Sequence, residues 1–254
     1  MTVTLIEGFD HMQDLTFKEW INPTSLGISA VDQSAVDTGR VLGRSWKNQV
    51  FTNLGIGAGA GTVIRRKGLP STLTNAIFGF GWKTDANTLG DWCRVGFTDA
   101  SGNQIAYVRI NGDRNIEIRS ATTTYGTSTT IMQSGLWHYL ELRVKINGAS
   151  GECELYVDGG VDVATVSSCN FGSTAIGGVY VFSYGDGSNN LTVRHWVDDF
   201  YVLDTLTGSA PHNTFLGDCR VETVFPTANG ATVAWTPLAG SNYAAVDDNS
   251  GTYP

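Results

Sequence analysis

From His138 to Ile146 the apolar residues Leu140, Leu142, Val144 and Ile146 fall at every second position, with Glu141, Arg143 and Lys145 between them. A period of two puts alternate side chains on opposite faces of an extended chain, so the segment predicts a strand with one face in a core and one in water. The turn residues Asn147, Gly148, Ser150 and Gly151 follow, and Glu152–Val157 then alternates again, with Cys153, Leu155 and Val157 on one side. Asp158 and Gly159 come next. Both tolerate a positive φ, which a type I′ hairpin turn requires. The same grammar occurs upstream: Gln104–Ile110 reads as a strand, Asn111-Gly112 as its turn and Asn115–Arg119 as the returning partner.

Two hairpins of this kind make the chain all-β unless helices intervene, and no amphipathic helix of any length is visible. Met12–Trp20 offers at most one short turn. Met1–Asp10, Arg40–Trp46, Thr62–Arg66, Thr74–Trp82, Trp92–Phe97, Gly177–Tyr184 and Leu191–Leu203 are further strand candidates, bounded by Gly, Asn, Asp and Pro. About a dozen strands fit before residue 205 at ordinary strand and turn lengths. With 254 residues the chain is long enough to bury a two-sheet core without staples. Beyond Thr205 the composition changes, and four of the six prolines (Pro211, Pro226, Pro237 and Pro254) lie there. The expectation is a β-sandwich over 1–205 followed by an extended arm, or the start of a further β-rich region, over 206–254.

A net charge of -8 argues against a protein that coats phosphate backbones. Arg65, Arg66 and Lys67 read as the solvated end of a strand. No apolar run reaches the roughly 18 residues of a membrane span, and the first ten residues lack the basic and apolar regions of a secretory leader. Cys93, Cys153, Cys169 and Cys219 form no CxxC pair, so neither zinc nor a thioredoxin-like motif is indicated. Free, buried thiols are expected, although Cys153 and Cys169 flank a hairpin. Gly55–Gly61 lacks the Gly-Lys-Ser/Thr of a phosphate cradle.

Trp137-His138-Tyr139-Leu140-Glu141-Leu142, followed at hairpin spacing by Glu154-Leu155-Tyr156-Val157-Asp158-Gly159, resembles the closing hairpin of concanavalin A-like lectin/glucanase and laminin-G-like domains. Val197-Asp198-Asp199-Phe200-Tyr201-Val202-Leu203-Asp204 resembles the last strand of the same fold. The resemblance implies an antiparallel two-sheet jelly roll, with Trp137, Tyr156, Asp158, Gly159, Asp198 and Asp199 as its structural signature. The stretch from Asn213 to Val221, with Pro226, Gly230, Trp235-Thr236-Pro237 and Gly240-Ser241-Asn242-Tyr243, is similar to one that follows such domains in tailed-phage structural proteins. That similarity implies a non-enzymatic virion component, a capsid decoration or a tail or fibre part, made in the host cytoplasm. It would form symmetric assemblies with virion partners through Phe215, Leu216, Val221, Phe225, Trp235 and Tyr243.

Related jelly rolls include glycoside hydrolases, which need two carboxylates across a groove. Their glucanases alternate Glu, Asp and Glu on one strand face, whereas Glu152-Cys153-Glu154 is one carboxylate short. His11, His138, His195 and His212 come with no Gly-x-Ser-x-Gly elbow. Asp198 and Asp199 are adjacent and point to opposite faces unless a bulge intervenes; one is expected to accept backbone N–H bonds and the other to meet solvent. The alternative for them is calcium, with Asp186, Asn189 and Asn190 contributing. No cofactor is otherwise expected. A second functional reading is an adhesin that stacks host-surface glycan on Trp82, Trp92 and Tyr125, and a third is a glycoside hydrolase.

Overall fold

The alternating segment forms the strand Trp137–Lys145, with Leu140, Leu142 and Val144 fully buried, in a computed structural model of the chain. The structure describes residues 3–8, 33–41, 44–51, 61–85, 90–185, 192–206, 210 and 213–221. Its strands are β1 (Val3–Glu7), β2 (Gln33–Thr38), β3 (Arg44–Phe51), β4 (Gly61–Leu73), β5 (Asn75–Thr84), β6 (Gly90–Thr98) and β7 (Gln104–Ile110), then β8 (Asn115–Arg119), β9 (Thr124–Ile131), β10 (Trp137–Lys145), β11 (Gly151–Val157), β12 (Gly160–Cys169), β13 (Ile176–Gly185) and β14 (Thr192–Asp204). There is no helix among the described residues.

These strands make two antiparallel sheets. The eight-stranded sheet runs β12-β11-β10-β5-β14-β3-β2, with β1 added beside β14, and the six-stranded sheet runs β4-β13-β6-β7-β8-β9. The central pairing joins β5 to β14, more than a hundred residues later, in the register Phe78 to Val202. Sheets with one face on a core and one outside alternate in this way along every strand. Phe78 of β5 sits at the joint between the sheets, with ring centroids 4.8 Å from Phe80, 5.7 Å from Phe97 of β6 and 5.2 Å from Phe200 of β14.

Turn chemistry sets the hairpins. Asp158 and Gly159 have φ of 51° and 81°, as a I′ turn demands, and the Asp158 carboxylate accepts the Tyr139 N–H and bonds the His138 ring at 2.8 Å. The β7-β8 turn is built differently from the Asn111-Gly112 expectation. Its left-handed residue is Arg114 at φ 67°, and the Asn111 side chain accepts the N–H groups of Asp113 and Asn115 at 3.0 Å.

A polar chain crosses the core. The Trp82 indole donates to His195 Nδ1 at 3.0 Å, and His195 Nε2 lies 2.9 Å from Ser183 Oγ. Indole is only a donor, so Nδ1 is the acceptor and Nε2 carries the proton toward Ser183. Burial drives the His195 pKa down to about 3, which keeps the ring neutral. Trp82 is fully buried, which corrects its assignment to a glycan platform: its ring offers no face to a ligand.

Asp198 and Asp199 sit in a β-bulge, where the β14-β5 register shifts and Asp199 takes φ 53°. Both are buried, so the expectation of one solvated carboxylate is corrected. Asp198 accepts the Arg40 backbone N–H at 2.9 Å, and Asp199 pairs with Arg40 Nε at 2.8 Å and accepts the Val221 N–H at 2.8 Å. The guanidinium stands where a cation would have to bind, and no group of three or more metal-ligating side chains occurs among the described residues. Asp186, Asn189 and Asn190 lie outside them.

The compact body extends past residue 205, to Val221, and Glu222–Pro254 forms a separate unit outside the described residues, with Phe225, Trp235 and Tyr243 in it. Phe215 stacks on Tyr156 at 3.8 Å and 19°, Leu216 packs with Ile77, Tyr139, Tyr201 and Leu203, and the Leu216 and Gly217 N–H groups donate to Glu141 at 2.7 and 3.1 Å. The 213–221 segment is thus built into the outer face of the eight-stranded sheet. Phe215→Ala is expected to lower unfolding free energy by about 1–2 kcal/mol, because a half-buried ring and its stacking partner are lost. Urea denaturation checks it, and an unchanged midpoint would show the segment undocked.

Candidate functional site

The outer face of a sheet in a two-layer sandwich is ordinarily polar. On the six-stranded sheet it is not. Tyr107, Tyr180 and Phe182 form a buried cluster of their own, flanked by Ile64 and Tyr184 and separate from the main core. Alternation explains their direction: Val95 and Phe97, Ala106 and Val108, and Val179 and Val181 point inward, so Arg94, Tyr107 and Arg109, and Tyr180 and Phe182 point out.

The register turns these positions into two rows across the strands. One runs Arg66, Tyr180, Gly96, Tyr107 and Arg119. The next runs Ile64, Phe182, Arg94, Arg109 and Glu117. Arg94 lies over the rings of Tyr107 and Phe182, 4.8 Å from each centroid, and donates to Gln104 at 2.9 Å. Glu117 pairs with Arg109 at 2.8 Å, lies 4.0 Å from Arg119 and takes a bond from Asn111 at 3.3 Å. The buried rings form a floor, with the half-buried Arg94, Gln104, Arg109, Glu117 and Arg119 around it.

Beside the first row is a pocket of about 250 Å³ lined by Arg66, Lys67, Thr98 and Asp99 and by the backbones of Gly177 and Gly178. Close approach needs glycine there: a Cβ on Gly177 would stand 2.4 Å from the Ala100 nitrogen. Thus Arg66, read from the sequence as part of a solvated strand end, lines a pocket.

The residues proposed from the sequence for glycan stacking are not brought together here. Trp82 points into the core from β5. Tyr125 packs edge-on against Phe171 at 4.9 Å and donates to the Asn170 carbonyl at 2.7 Å. Trp92 belongs to β6, with its side chain outside the described residues. Glu152 and Glu154 lie on the other sheet, paired with Arg143 and Lys145. Arg94, Tyr107, Arg109, Glu117, Arg119, Tyr180 and Phe182 were missed, because a cross-strand row is assembled from five strands and no single segment displays it. The available signal was an aromatic or Arg at outward positions of successive strands.

No protein-family model matches the chain, and no curated protein matches it. Solved structures do. The chain is similar to a GH131 β-glucanase catalytic domain from Podospora anserina, with 10% identity, 84% of this chain and 98% of that one covered, and a TM-score of 0.56. It is also similar to the catalytic domain of a glycoside hydrolase family 131 protein from Coprinopsis cinerea, with 11% identity, 85% and 98% covered, and a TM-score of 0.51.

Two expectations are corrected by these likenesses: a structural role in a tailed-phage virion, and the absence of enzymatic activity. The first rested on 213–243, of which 213–221 proves to be part of the body. The second rested on Glu152 and Glu154, which are tied up in ion pairs on the eight-stranded sheet and leave the other sheet's outer face unconsidered. At this identity the likeness establishes the fold: an all-β sandwich of two antiparallel sheets, of the jelly-roll kind, shared with two glycoside hydrolase catalytic domains.

Proposed function

We propose that this protein recognises carbohydrate on the outer face of its six-stranded sheet. The observation that carries the reading is the aromatic floor of Tyr107, Tyr180 and Phe182 with Arg94 laid across it and the Arg109–Glu117–Arg119 group beside it. Sugars present vicinal hydroxyls, and planar guanidinium, carboxylate and amide groups bind such pairs through two parallel hydrogen bonds. A rigid floor holds those groups in place, which lowers the entropy lost when a ligand is bound. The fold shared with glycoside hydrolase catalytic domains supports the same chemistry. Glu117 of β8 supplies a carboxylate to this face.

The test is affinity electrophoresis of the full chain in gels carrying neutral or acidic polysaccharides. Retardation by at least one class is expected. Arg94→Ala should weaken it at least tenfold, about 1.4 kcal/mol, while the circular dichroism spectrum stays that of the folded protein. Free migration in every gel would refute the proposal. Reducing-end release, followed in the same samples, reads hydrolysis directly.

A further inference from the structure

We infer that the carbohydrate recognised on this face is an acidic polysaccharide, with sugar-ring carboxylates as the groups bound; the inference rests on the glycan reading above. The sequence carries a net charge of -8, yet the two rows described here collect Arg66, Arg94, Arg109 and Arg119 against Glu117 alone. Four guanidiniums thus share these two rows with one carboxylate, in a chain that is negative as a whole. Asp99, on the adjoining β6-β7 hairpin, lines the pocket together with Arg66. It is held by Asn103, through the backbone N–H at 2.8 Å and the side-chain amide at 2.7 Å.

The spacing suits a polymer better than a small anion. The four arginines come from β4, β6, β7 and β8, and β4 and β8 are four strand intervals apart, about 19 Å at about 4.8 Å per interval. The charges therefore form a track across the strands, and a chain with an anionic group on successive sugar units meets several of them in turn. At its two ends, in one row, the Arg66 and Arg119 Nε atoms are buried without a hydrogen-bond partner among the described residues. Unmet buried donors mark places where a further acceptor belongs. Guanidinium is the side chain that takes a carboxylate bidentately. The 250 Å³ pocket beside Arg66 adds room at the β4 end of the track for one more unit.

The test uses the full chain and four probes: polygalacturonate, the same polymer with its carboxyl groups reduced, a neutral β-glucan and dextran sulfate. Polygalacturonate is expected to bind at least tenfold more tightly than its reduced form, and its affinity should fall with added salt. Arg66→Gln and Arg119→Gln should each weaken it at least threefold. Lys145→Gln, on the eight-stranded sheet, should leave it unchanged. Equal binding of the native and reduced polymers would overturn the acidic class and leave glycan recognition standing. Binding to dextran sulfate alone would overturn the carboxylate, and binding to none of the four would remove both readings. An equal loss in Lys145→Gln would show diffuse charge attraction and overturn the assigned track.

Discussion

Wild-type protein is expected to lose stability steadily as pH falls from 6.5 to about 3, with a component that a His195→Gln variant lacks. His195 is completely buried, between the Trp82 indole and Ser183, and is held neutral. In the unfolded chain its imidazole takes a proton below pH 6.5, whereas the folded chain resists that proton down to about pH 3. The unfolded state binds more protons throughout this window, so stability is fully present above it and is lost as pH drops. The His195 contribution approaches about 1.4 kcal/mol per pH unit, or about 4–5 kcal/mol over the whole window. Asp37, Asp99, Asp162 and Glu152, with lowered pKa values, add to the acid loss, and buried Glu141, with a raised one, opposes it. These groups are common to both proteins. The difference between two urea-denaturation series from pH 7 to pH 3.5 therefore isolates His195, and parallel curves would refute its neutral burial.

Arg40→Leu is expected to cost about 3–5 kcal/mol, since it removes the countercharge of a buried carboxylate. Arg40 lies over the Tyr139 ring at 4.9 Å, pairs with Asp199 at 2.8 Å and Asp218 at 2.5 Å, and donates to the Cys219 carbonyl. Asp199 would keep its bond from the Val221 N–H but lose its cation in a site that is 3% exposed. Adding Asp199→Asn should recover a large part of the loss: the carboxylate that lost its cation is then uncharged, and Asn tolerates the φ of 53° there. Chemical denaturation of the single and double variants measures both. A cost below about 1 kcal/mol for Arg40→Leu would place the pair in the solvent-screened class.

The sequence by itself determined the strands whose two faces differ. Leu140, Leu142 and Val144 against Arg143 and Lys145 forecast β10, and Asp158-Gly159 forecast the turn joining β11 to β12, because each signal is local and written in side-chain polarity or φ tolerance. Thr124–Ile131 was not forecast, and Gly160–Cys169 was implied only as the return of a hairpin flanked by Cys153 and Cys169, without strand bounds. They are edge strands, β9 and β12, largely exposed and rich in Thr and Ser, so they show no apolar alternation. The bulge at Asp198 and Asp199 was open in the sequence as a condition only, since the residue that neutralises it is Arg40, brought from beyond β2 only by the folded chain. The face carrying Tyr107, Tyr180, Phe182 and the four arginines was decided by tertiary structure alone. Each strand contributes one or two outward residues, and only the antiparallel register, joining segments as much as 118 residues apart at Phe182 and Ile64, sets them side by side.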